Sequence, residues 1–74
     1  MEKQYQVEFF NDNNQSLGKL THSSQNIDEA VQEVTMMINK QFSIVTMEYG
    51  KDIELRNVIL TSKIARFTVG PSVR

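Results

Sequence analysis

Period-two alternation opens the chain. Tyr5, Val7 and Phe9 alternate with Gln4, Gln6 and Glu8, which predicts a strand with one buried face. Phe10 adds an aromatic ring to the polar side. The stretch from Asn11 to Gln15 is dense in residues that bond their own backbone and tolerate positive φ, so it predicts a turn. SLGKLTH then reads as a short second strand, and Gly18 inside it marks a bulge or a close backbone approach. From SSQNIDEAVQEVTMMINKQ onward the period becomes helical. Asn26 is the expected N-cap, with Glu29 three residues later in a variant of the capping box. Asp28 and Glu29 place negative charge where the helix dipole favours it. At 100° per residue, Ile27, Ala30, Val31, Val34, Met37 and Ile38 form one stripe. Met36 falls on the opposite, polar side with Gln32 and Glu33, and the helix is expected to end near Gln41.

The third strand, FSIVTMEYG, is apolar on both sides: Phe42 and Ile44 on one, Val45, Met47 and Tyr49 on the other. Gly50-Lys51 suits a hairpin turn. DIELRNVILTSKIARFTV predicts a second hairpin, with strands four and five around Thr61-Ser62. Strict alternation gives its first arm no clean face, and a bulge at Arg56-Asn57 repairs this. Ile53, Leu55, Val58 and Leu60 then join Ala65, Phe67 and Val69 under the helix. Glu54, Ile59, Ile64, Arg66 and Thr68 face away, with Ile59 and Ile64 as cross-strand neighbours. Pro71 cannot continue a ladder, so residues 70–74 are expected to fray. The expected fold is α+β: one domain over residues 1–74, a single antiparallel sheet in the order ββαβββ, and one amphipathic helix on one face.

One helix covers one face of a sheet. Phe10, one side of the third strand, and the Ile59/Ile64 pair would then lie on the uncovered face. Contiguous exposed apolar surface marks an interaction site. The sequence therefore points to a protein-binding module, a homodimer or one bound to another protein, with Phe10, Met36, Ile59, Ile64 and Arg66 as candidate interface residues.

Composition narrows the chemistry. With 74 residues, no cysteine and a net charge of −1, the chain forms no disulfide or thiolate metal site and is not a dedicated polyanion binder. No apolar run reaches membrane-spanning length and no signal-peptide pattern opens the chain, so the expected location is cytoplasmic, with no membrane partner. Basic residues concentrate in the last third, and Lys51, Arg56, Lys63 and Arg66 are candidate nucleic-acid contacts, with Tyr49 and Phe67 as stacking groups. LRNVILTSKIARFTVGP loosely resembles the closing hairpin of Sm-like RNA-binding proteins. Thr61-Ser62 stands where that family carries Arg-Gly, and a helix precedes it in place of strands, so membership is not assigned. Weak nucleic-acid binding is the alternative reading.

His22 is the one histidine, and Ser23 and Ser24 beside it point to alternate sides of a strand, so they form no catalytic pair with it. Asp28, Glu29 and Glu33 are accounted for by capping, dipole and a solvated helix face. Three isolated glycines make no phosphate loop. Asn14-Gln15-Ser16 matches a glycosylation acceptor, which has no use without secretion. The expectation is a non-enzymatic protein with no metal and no cofactor.

Overall fold

Asn11 closes the first hairpin with its own side chain. Its Oδ1 accepts hydrogen bonds from the backbone N–H groups of Asn13 and Gln15, each at 2.9 Å, and Asn14 takes a left-handed φ of 65°. In the computed structural model, which describes residues 2–50 and 53–72 (without the side chains of 48–50 and 53), this turn joins β1 (Lys3–Phe10) to β2 (Ser16–Ser24). Phe9 faces Gly18 while Phe10 faces Ser16, so Leu17 is an extra, bulged residue. Gly18 also meets the second expectation placed on it. At φ +156°, a Cβ there would lie 2.6 Å from Asn57 Nδ2 and 2.9 Å from Ile59 Cδ1.

Helix α1 (Ile27–Lys40) begins as its sequence dictates, with Asn26 Oδ1 accepting from the Glu29 N–H at 2.9 Å. Ala30 and Val34 are fully buried, Met37 and Ile38 pack at the core margin, and Ile27 and Val31 remain exposed. The stripe that works is narrower than the one the period predicts.

After β3 (Ser43–Gly50) and β4 (Ile53–Leu60), a single 3-10 turn (Thr61–Lys63) leads to β5 (Arg66–Pro71). The element order ββαβββ is as expected, but the strands form two sheets instead of one. β5 pairs with β1, giving a three-stranded sheet ordered β2-β1-β5, and β4 pairs with β3 in a separate ribbon. Thr61 explains why β4 and β5 do not fold back on each other. Its N–H donates to the Phe42 carbonyl at 3.1 Å, and its hydroxyl donates to the Gln41 and Phe42 carbonyls at 2.8 and 3.0 Å. The chain is thus tied to the start of β3, and the N–H of Ala65 reaches the Phe10 carbonyl at 2.8 Å.

The β3–β4 register runs without a shift from Ser43↔Leu60 to Gly50↔Ile53, so the expected bulge at Arg56-Asn57 is absent. Alternation then sends Ile44, Thr46, Asn57 and Ile59 inward and Val45, Met47, Val58 and Leu60 outward, the reverse of the expectation for the second half of β4, while Leu55 keeps its expected side. Ile59 is 4% exposed and Val58 59%. The expected frayed tail is also corrected. Gly70 pairs with Gln6, Pro71 with Tyr5, and the Ser72 N–H donates to the Gln4 carbonyl at 3.3 Å. That bond sets the phase of the ladder and places the missing N–H of Pro71 on the free edge, where no partner is lost.

The core lies where the two sheets and the helix meet: Val7, Phe9, Val34, Ile44 and Ile59, with the Phe9 and Phe67 rings 6.4 Å apart. Asn57 Nδ2 donates to the Leu17 carbonyl at 2.7 Å, spending the acceptor that the bulge turned away from β1.

A candidate protein interface on the two-stranded ribbon

The outward side of the ribbon carries Val45, Met47, Val58 and Leu60, all exposed, and Phe42, at the entrance to β3, is 82% exposed. Val45 sits directly opposite Val58, so the patch is contiguous across both strands. At its far end Glu54 and Arg56, two residues apart on the same side, form an ion pair at 2.7 Å, which leaves this face neutral. Leu55 belongs to the inner side by register yet is exposed, so the ribbon extends past the core.

The five candidate interface residues do not come together. Phe10 lies on the polar side of the three-stranded sheet, where the Arg66 guanidinium stacks on its ring at 4.0 Å and Arg66 Nε donates to Asn14 Oδ1 at 2.7 Å. One candidate therefore covers another. Ile59 is core, and Ile64 packs half-buried against that core, so the pair is neither cross-strand nor on an open face. Met36 is exposed, on the helix. The candidate nucleic-acid contacts are scattered too: Arg56 is paired on the ribbon, Lys63 sits in the 3-10 turn, Arg66 is engaged on the other sheet, and Lys51 lies outside the described residues. What the sequence reading missed is Val58, Leu60 and Phe42 as surface. Unbroken alternation, applied to β4 without a bulge, carried the signal for the first two.

His22 Nε2 donates to Glu33 Oε1 at 2.9 Å and so ties β2 to α1. This contact, first among its causes, holds the Glu33 carboxyl below the usual carboxylate range. Among the described residues no three His, Cys, Asp or Glu side chains converge as metal ligands, and no helix is long and apolar enough to cross a membrane. Compared with known proteins, the chain matches no family model, no curated sequence and no solved structure.

Proposed function

We propose that the chain is a non-enzymatic protein-binding module that self-associates through the outward face of the β3–β4 ribbon. The observation that carries this reading is the row Val45, Met47, Val58 and Leu60, all exposed on one side of the ribbon. Together they offer on the order of 400 Å², within the range of the largest apolar patch on a monomer, which is often functional. With the neutral Glu54–Arg56 pair at its end, the face approaches the roughly 800 Å² per partner of a standard interface. A face without net charge also brings no like-charge repulsion when it meets a copy of itself. A two-stranded ribbon is marginal alone, and a partner on its outer side would shield it.

Nucleic-acid binding has less support, because the basic side chains are spread over separate faces and two of them already have partners. Light scattering from low micromolar concentration upward tests the reading. The expected result is a dimer whose dissociation constant rises at least tenfold in Val58→Asp, with the circular dichroism of the monomer unchanged. A monomer at all concentrations, or a dimer indifferent to Val58→Asp, overturns it.

A further inference from the structure

Among the described residues Phe42 is the most exposed large apolar side chain, and its backbone is pinned. Its carbonyl accepts from both the N–H and the hydroxyl of Thr61. A ring on a fixed backbone has only two torsions left to order, and such aromatic anchors carry much of the energy of interfaces. A hollow that suits a ring lies at the same end of the ribbon. It measures about 270 Å³ and is lined by the bulged Leu17, by Val58, Ile59 and Leu60, and by Lys63. For comparison, a cavity of about 150 Å³ already takes a benzene ring. No β3 residue lines it, so it sits at the edge of β4 that β3 leaves free, and Phe42 does not fill it in its own chain. Val58 and Leu60 belong to the outward row as well, which makes the hollow continuous with that face.

We infer that the two copies exchange this ring: each seats its Phe42 in the hollow beside the partner's β4, about a two-fold axis that runs along the strands. The inference rests on the proposed self-association of the ribbon and adds which symmetry it uses and which residue the second copy contributes. Two ribbons stacked face to face with their strands aligned have two such axes available, one along the strands and one across them. An axis along the strands lays each β3 over the partner's β4 at the same height. The start of β3 and the end of β4 are paired, Ser43 with Leu60, so Phe42 comes to the partner's Leu60 and the hollow next to it. An axis across the strands carries Phe42 to the far end of the partner's ribbon, where the hollow is not. Area favours the exchange too. The outward row supplies about half of the roughly 800 Å² per partner of a standard interface, and a seated aromatic ring adds about 150–250 Å². Lys63 in the lining offers the ring a cation–π contact that an aliphatic side chain would not receive.

The test is an isotope-filtered NOE experiment on an equimolar mixture of labelled and unlabelled full-length chain, which reports only contacts between copies. The expected result is cross-chain contact from the Phe42 ring to the methyl groups of Leu17 and Leu60, together with contact between Val45 of one copy and Val58 of the other. Light scattering supplies the second measurement. Phe42→Ala is expected to raise the dissociation constant at least tenfold, and Phe42→Leu to raise it less. Both variants should keep the urea midpoint of the dilute monomer, because the side chain is 82% exposed. A dimer that joins Val45 to Val58 across copies but leaves Phe42 without cross-chain contact overturns the exchange and keeps the ribbon interface. So does a Phe42 ring found against the partner's Ile38 and Ile64, in the groove between α1 and β5. A dimer indifferent to Phe42→Ala also overturns the exchange. A monomer at every concentration overturns both readings together.

Discussion

β1 and β3 make a useful pair. In β1 the apolar residues before Phe10 keep to one side: Val7 and Phe9 are fully buried in the core, while Gln6 and Glu8 look away. In β3 both sides are apolar, yet only Ile44 and Thr46 are covered, and Val45 and Met47 are left in solvent. The first strand has a neighbour on each edge, β2 and β5; the third has only β4. Period-two alternation thus announces a strand that expects one cover, and the loss of alternation announces one that expects two. The helix packs on β2 and β5, and the ribbon packs on β2, so the outer side of the ribbon has no cover among the described residues.

The comparison breaks most visibly in the core. Phe9→Ala should cost about 3–5 kcal/mol, the range for deleting a fully buried ring, whereas Val58→Thr in the monomer should stay within about 0.5 kcal/mol. Urea melts of the two variants check this, and equal losses would mean that the ribbon face is covered within the monomer. The junction between the regions offers a smaller effect of opposite sign. Thr46 is buried opposite Asn57, and its hydroxyl has no hydrogen-bond partner among the described residues. Thr46→Val keeps the shape, removes the orphaned group, and should stabilise by about 1 kcal/mol. A destabilised variant would show that the hydroxyl is satisfied.

The smallest effect is a pH dependence confined to the β2–α1 side. Glu33 has its carboxyl lowered by His22, so its contribution is present above the ordinary carboxylate value of 4.5 and is lost as pH falls through the lowered one. The difference in Tm between the parent chain and Glu33→Gln should shrink between pH 6 and pH 3. A constant difference would exclude the ionised pair as its source. The group is exposed, so the change should be slight.

The parts legible in the sequence are those written locally. The Asn11 turn, the Gly18 bulge, the Asn26 cap and the buried side of β1 each follow from residues within a few positions of one another. The pairing of β5 was not legible in this way, because Arg66–Pro71 and β1 are about sixty residues apart and periodicity names a strand without naming its neighbour. Assuming a β4–β5 hairpin required a bulge at Arg56-Asn57, and that bulge turned Ile59 outward and Val58 inward. Thr61, which directs the chain away from β4, carries no pattern by which to recognise it. The candidate interface was half legible: the doubly apolar character of β3 stood in the letters, and its partner residues on β4 became visible only with the register.

The position of β1 at the centre of its sheet has a consequence in time. A chain emerging from the ribosome makes β1 first, but β1 gains its second neighbour only when residues 66–71 have been made and have closed a loop around everything between. Until then one edge of β1 stands open beside Val7 and Phe9, an invitation to pair with another nascent chain. Such distant pairing should make the domain fold more slowly than a helical bundle of its size, whose contacts are local. Removing the last strand would therefore harm yield in the cell before it altered anything measurable in the helix.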